Sequence, residues 1–171
     1  MQKSFSWFLN RKLLIKDTTI KNIAGEFIAK ARNNIATMEL LNKAKSFKDI
    51  LEFPKDYSPD EWIAITAYYS MYVAALGLLA KLEYRSKNHS ATITALDELF
   101  VKKRLLEKEY LEILEKINIK KEEIEELERV RDKREIAQYS VTKKTTQNIA
   151  EEARTAAHKF TDKMEEIFDL L

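Results

Sequence analysis

The segment from Trp62 to Ala80 constrains the fold most strongly, because it runs for nineteen residues without a charge in a chain that is 34% charged. An apolar run of that length is close to the length at which a helix spans a bilayer. It also contains Thr66, Ser70 and three tyrosines, and strongly charged sequence follows it. A central helix surrounded by neighbouring helices has the same signature. We therefore expect a buried helix in a soluble, cytoplasmic protein that has no membrane partner.

The composition predicts an all-α protein. Lys, Glu, Leu, Ala and Ile dominate, whereas only two glycines and two prolines occur in 171 residues. A chain of this length can bury the core of one domain, so we expect a single helical domain over residues 1–171. The absence of cysteine excludes disulfides and thiolate metal sites. The net charge of +2 is too close to neutral to imply a nucleic-acid partner by itself.

Apolar residues recur at helical spacing in five regions, which predicts an antiparallel, up-and-down bundle of about five helices. A polar turn over residues 84–88 separates the second helix from the short third one. The fourth helical region runs from about Leu106 to Tyr139, with a candidate break near Asn118. Residues 1–16 form an N-terminal extension whose aromatic side chains pack on the bundle, with a bilayer surface as the alternative. Short polar side chains are the N-cap candidates for the first, second, third and fifth predicted helices. In that order they are Asp17, Thr18 or Thr19; Ser58 or Asp60; Ser86 or Asn88; and Thr145 or Thr146.

Arg134 interrupts the apolar stripe of the fourth helical region. It lies four residues after Val130 and three before Ala137, so a helix projects it along the apolar face. Burying an unpaired guanidinium there would cost ~3 kcal/mol or more. We infer that Arg134 faces either a polar groove or a partner, and both interpretations indicate function.

The residues available for catalysis are few. The two histidines, His89 and His158, are far apart in the sequence, and we find no metal-binding or phosphate-binding motif. We therefore expect neither a metal site nor a cofactor. His158 lies off the apolar stripe of its helix, which predicts an exposed side chain. His89 opens the short third helix beside Lys87, as a cap or surface residue unless a partner gives it a catalytic role.

Five segments along the chain stand out: S-F-S-W-F-L-N-R (residues 4–11), A-Y-Y-S-M-Y-V-A-A-L-G-L-L-A (67–80), K-N-H (87–89), A-L-D-E-L-F-V-K-K (95–103) and R-E-I-A-Q-Y (134–139). Together they resemble the HEPN domain family, in particular its stand-alone prokaryotic branch with a K-x-H segment and an R-E-x-A-D-Y signature. They occur in the family's order and cover essentially the whole chain.

The resemblance implies a symmetric homodimer in which the arginine motifs of two subunits share a cleft. It also implies a small nucleotidyltransferase as the partner, with this chain as the toxin half of a toxin–antitoxin pair. Many relatives are metal-independent ribonucleases that use an arginine and a histidine four to six residues later. Here Gln138 and Tyr139 stand at the fourth and fifth positions after Arg134, and no histidine follows. A neutral amide cannot exchange a proton, and an unperturbed tyrosine titrates near ~10.

Three functions remain open. The first is a module that binds a nucleotide or RNA, or the nucleotidyltransferase antitoxin, in a groove formed by Arg131, Arg134, Glu135, Gln138 and Tyr139, with Lys87 as a further ligand-binding residue. The second is a ribonuclease that uses Arg134 with His89 or Tyr139. The third is a structural protein in which Arg134 pairs across a dimer interface. Tyr139 is also a candidate acceptor for nucleotidylation by the partner enzyme. We assign Tyr68, Tyr69 and Tyr72 to core or dimer packing, because no basic residue interrupts their helix.

Overall fold

The computed structural model describes residues 3–47, 50, 52, 54, 57–131 and 139–171, and it describes side chains at those positions except within 123–145. The described residues form six α-helices and one two-stranded sheet. They confirm the predicted all-α bundle. The one helix beyond the five predicted is Phe5–Asn10, in the N-terminal extension. The elements in chain order are α1 (Phe5–Asn10), β1 (Leu14–Lys16), a 3-10 helix (Thr18–Ile23), α2 (Ala24–Ala44), a 3-10 turn (Lys45–Phe47), α3 (Asp60–Lys81), β2 (Tyr84–Ser86), α4 (His89–Leu96), a π-helical turn (Asp97–Val101), α5 (Lys108–Arg131) and α6 (Tyr139–Leu170).

Four long helices, α2, α3, α5 and α6, form the up-and-down bundle. Helix α3 packs against α2, where the buried Ser70 hydroxyl donates to the Ala31 carbonyl at 3.1 Å. The same hydroxyl lies 2.9 Å from that of Thr161 on α6, so one buried polar contact joins three helices. Helices α5 and α6 run antiparallel, and Glu152 of α6 forms ion pairs with Lys116 and Lys120 of α5.

Helix α3 is the central helix that the uncharged segment predicted. Among the described residues it is the one helix long and apolar enough to cross a membrane, but 72% of its apolar stretch is buried inside the molecule. Its buried side chains join one core with residues of α2, α4, α5 and α6. Burial by protein on most sides explains the absence of charge, since a charge there would lose its hydration.

An N-terminal layer covers one side of the bundle. Helix α1 buries Phe8 in the main core, and β1 pairs antiparallel with β2, with Leu14 opposite Ser86. The Arg85 guanidinium on β2 donates to the Asp17 carboxylate at 2.8 Å and fastens the layer further. The predicted polar turn over 84–88 is therefore wrong for residues 84–86, which form a strand. Its partner strand is about 70 residues earlier in the sequence, so local sequence could not show the pairing.

The structure tests the predicted cap of α4, the predicted break in α5 and the predicted start of α6. Of the two predicted candidates, Ser86 and Asn88, it is Asn88 that caps α4, by accepting the N–H of Ala91 at 2.8 Å. The candidate break near Asn118 is wrong, because α5 is continuous there and the Asn118 amide donates to Glu122 one turn later at 3.0 Å. The last helix begins at Tyr139 rather than at Thr145 or Thr146, which makes Tyr139 part of the last helix and not of the fourth.

Candidate functional site

The arginine motif belongs to the region between α5 and α6. Helix α5 is described to Arg131 and α6 from Tyr139, whereas Arg134, Glu135 and Gln138 lie outside the described residues. The side chains of Arg131 and Tyr139 also lie outside them. The groove predicted from these five residues therefore stays a prediction.

The backbone nevertheless shows where Arg131 and Tyr139 lie, at the end of α5 and the start of α6. Glu151 of α6 is close enough to Lys45, just after α2, for their charges to interact. Tyr139 precedes Glu151 by twelve residues of continuous helix, which corresponds to about 18 Å along the axis. The antiparallel α5–α6 pair therefore extends beyond the end of α2, and Arg131 and Tyr139 both lie on this extension.

His89 is described in full and lies against aromatic side chains of α3. Its Nδ1 is 3.3 Å from the Tyr68 hydroxyl, and its ring stacks on Tyr72 with centroids 6.2 Å apart and planes 27° apart. Burial lowers the pKa of His89 below its ordinary value, while the carboxylate of Glu122 acts against this shift and the ammonium of Lys121 adds to it. The imidazole is therefore neutral at neutral pH and can accept a proton.

Lys121 of α5 adds a cation to these aromatic rings. Its Nζ lies 5.3 Å from the ring centroid of Tyr68 and 5.9 Å from that of Tyr69. Tyr68 is buried, as a core residue should be, whereas Tyr69 is 45% exposed. This cluster has no signal in the sequence, because the basic residue comes from another helix, more than 50 residues later in the chain.

Among the described residues of the predicted site, His89 and Arg131 are separated along α5. His89 lies at the level of Lys121 and Glu122, with which its charge interacts. Arg131 follows Glu122 by nine residues of helix, or about 14 Å along the axis. Lys87, by contrast, is exposed just before α4, and its backbone N–H donates to the Leu13 carbonyl at 2.9 Å. Lys87 and His89 therefore lie next to the start of α4, and they are neighbours already in the sequence.

His158, predicted to be exposed, is 40% exposed and has a definite partner. Its Nε2 lies 2.8 Å from Glu39 Oε1, and the same carboxylate oxygen accepts from Arg154 Nη1 at 2.9 Å. These contacts join α2 to α6. His158 therefore has a structural contact in the bundle and lies on a different helix pair from His89.

The described residues form a helical bundle in which His89 contacts Tyr68 and Tyr72. The chain also carries the R-E-I-A-Q-Y segment, whose last residue starts the last helix. Together these features define a class of small helical domains. The HEPN domain family model matches residues 37–167, more than half of the chain, and the chain belongs to this family. Its membership identifies a nucleotide- or RNA-related module in general terms. Neither the curated proteins nor the solved structures gave a significant match.

Proposed function

We propose that this HEPN domain is a nucleotide- or RNA-binding module, that it acts as a homodimer, and that it is the toxin-side, cytoplasmic partner of a small nucleotidyltransferase. The family match supports the general class, and it includes the whole R-E-I-A-Q-Y segment. The observation that carries the proposal is the extension of the α5–α6 pair beyond α2, because Tyr139, the last residue of the segment, lies on it together with Arg131. An arginine can bind phosphate through a bidentate, charge-assisted contact.

Binding is favoured over cleavage by the chemistry available to the motif. Gln138 cannot transfer a proton, and the pKa of a tyrosine is ordinarily near ~10. His89 is neutral but lies at the level of Glu122, which is about 14 Å along α5 from Arg131. Arg134 can therefore hold a phosphate without a proton carrier supplied by the motif itself.

The test is binding of a fluorescent single-stranded RNA and of ATP to the wild type and to Arg134→Ala. We expect Arg134→Ala to weaken binding by about tenfold, the usual effect of losing one good charge-assisted contact. Arg104→Ala is the matched control, because Arg104 is also an arginine but is exposed in the turn before α5. Equal binding by the wild type and Arg134→Ala would contradict the proposal.

The partner assignment has its own experiment. The chain is coexpressed with a nucleotidyltransferase encoded beside it, and copurification is followed by intact-mass measurement. We expect a stable complex, and an added nucleotide on Tyr139 would identify this residue as the acceptor. A complex without added mass would leave Tyr139 as a binding residue, whereas no complex would contradict the partnership. Light scattering on the isolated chain tests the homodimer.

One second candidate is a metal-independent ribonuclease in which His89, whose ring is neutral and whose Nδ1 lies 3.3 Å from the Tyr68 hydroxyl, is the proton carrier. An RNA cleavage assay with EDTA distinguishes it, using wild type, Arg134→Ala and His89→Gln. Cleavage that both substitutions abolish would replace the binding proposal with an enzyme. Cleavage lost in Arg134→Ala but retained in His89→Gln would implicate Tyr139. No cleavage by any of the three supports a binding module.

A further inference from the structure

A cavity of about 350 Å³ lies where the N-terminal layer meets α4 and α5. The N-terminal layer contributes Trp7, Phe8 and Leu13, and α4 contributes His89, Ile93 and Thr94. Pockets that hold small molecules are typically ~300–1,000 Å³, so this one has room for a compact ligand. It lies beside α4, away from the extension of the α5–α6 pair that the proposed function uses.

The cavity has an apolar part and a hydrogen-bonding part. Phe8 and Ile93 are buried, and the Trp7 ring is partly exposed, so a ring-shaped group would find apolar contacts. Ser90 and Thr94 lie one turn apart on α4 and both line the cavity. Within the described part of the chain, neither hydroxyl makes a hydrogen bond to another protein group. Both are therefore available to a ligand.

The charges at the cavity favour an anion. Lys3 lines it, and the Lys3 ammonium is held 4.1 Å from the centroid of the Trp7 ring. The Arg11 guanidinium lies 5.4 Å from the same ring and adds a second positive charge nearby. Among the described residues, Glu115 is the one carboxylate that lines the cavity, and it is exposed. Two cations beside a single hydrated carboxylate leave the entrance net positive.

We propose that this cavity binds a small organic anion with an aromatic ring. The ring packs between Trp7 and Ile93, the anionic group pairs with Lys3, and the hydroxyls of Ser90 and Thr94 donate to it. Neither half of the ligand suffices alone, because a ring without charge leaves Lys3 unused and a free anion leaves the apolar surface in contact with water.

Trp7 provides the reporter for the test. The chain has two tryptophans, and Trp62 lies on α3, where it is 54% exposed and does not line the cavity. Trp62→Phe therefore leaves Trp7 as the single tryptophan, and its fluorescence is measured during titration with phenyl phosphate. Inorganic phosphate, benzyl alcohol and benzylamine serve as anion-only, ring-only and cationic comparisons. We expect phenyl phosphate to bind saturably and about tenfold more tightly than any of the three.

Variants in the same background locate the site. Lys3→Gln should weaken phenyl phosphate binding several-fold, and Glu115→Gln should tighten it because a repulsive charge is removed. Lys30→Gln is the matched control, since Lys30 is exposed on α2, which does not border the cavity. Thr94→Phe should abolish binding by filling the space, provided that its circular dichroism and melting temperature show a folded protein.

The opposite results would overturn the proposal. A phenyl phosphate titration without saturation would exclude an anion site, and tighter binding of benzylamine would assign the cavity to a cation that pairs with Glu115. Binding that Lys3→Gln and a folded Thr94→Phe leave unchanged would place the ligand elsewhere. Lys3 is at the surface, so its substitution keeps the test valid even if Thr94→Phe fails to fold.

Discussion

The two glycines of the chain test the close packing of α2 against α3. A Cβ added at Gly77, in the middle of α3, would lie 2.9 Å from Ile28 Cδ1 and 3.3 Å from Phe27 Cβ. A Cβ added at Gly25 would have no atom within 4 Å. Both positions are helical, so Gly→Ala gains helix propensity at each. Only Gly77→Ala has to displace atoms of the neighbouring helix.

The expected free energies follow from these contacts. The propensity gain is at most ~1 kcal/mol at either glycine. Overpacking a tight core costs ~1–3 kcal/mol, and although the Ile28 side chain can rotate, the Phe27 Cβ moves only with the backbone of α2. Gly25→Ala should therefore raise the free energy of unfolding by up to ~1 kcal/mol. Gly77→Ala should lower it by up to ~2 kcal/mol, so the two variants should differ by ~1–3 kcal/mol.

Urea and thermal denaturation of the wild type and both variants measure this difference. In a domain of this size, ~1 kcal/mol shifts the melting temperature by about 2–4 °C. Because the propensity gain is common to both variants, their difference reports the packing at Gly77. If Gly77→Ala were as stabilising as Gly25→Ala, the close contact of α3 at Gly77 with Phe27 and Ile28 of α2 would be wrong.

Three further predictions concern single side chains. The pKa of His89 is lower in the folded protein than in the unfolded chain, where it is about 6.5. As the pH falls below about 6.5, the unfolded chain therefore binds more protons than the folded protein, and the free energy of unfolding should fall. Melting temperatures at about pH 7.5 and about pH 5.5 should show a smaller loss for His89→Gln than for the wild type. Ser70→Ala should cost ~1–3 kcal/mol in urea denaturation because it leaves the buried Thr161 hydroxyl without this partner, and adding Thr161→Val should cost less than the sum of the single changes. Asn88→Ala should destabilise α4 by ~1 kcal/mol, whereas Asn88→Asp should be nearly neutral; an equal loss for both in thermal denaturation would argue against the cap.

The bundle could be predicted from sequence because helix formation and burial leave local, periodic signals. The uncharged segment identified α3, and side chains that can accept a backbone N–H narrowed the cap of α4 to Ser86 or Asn88, of which Asn88 is the cap. The strand at Tyr84–Ser86 left no such signal, since three residues are too few for a period and their partner strand is remote in sequence. The predicted start of α6 at Thr145 or Thr146 is too late, because polar residues can cap a helix but also occupy its solvent face.

The surroundings of His89 show the corresponding limit for a functional site. Sequence identified the histidine and the neighbouring tyrosines separately, but not their contact, because it depends on how α3 and α4 are rotated about their axes. The same holds for Lys121, whose position over the Tyr68 ring is set by the packing of α5 on α3. Side chains on three elements meet only after the tertiary fold forms, so spacing along one helix carries no information about them.

The separation along α5 allows the two proposed binding regions to be tested independently. His89 borders the cavity, whereas Arg131, the described residue nearest the arginine motif on α5, lies about 14 Å farther along that helix than Glu122. Substitutions more than ~10 Å apart that share no partner are usually additive. Arg134→Ala should then leave phenyl phosphate binding intact, and Lys3→Gln should leave RNA binding intact. A variant of one region that altered the other would indicate a coupling through α5 or through a second subunit, because no direct contact spans that distance.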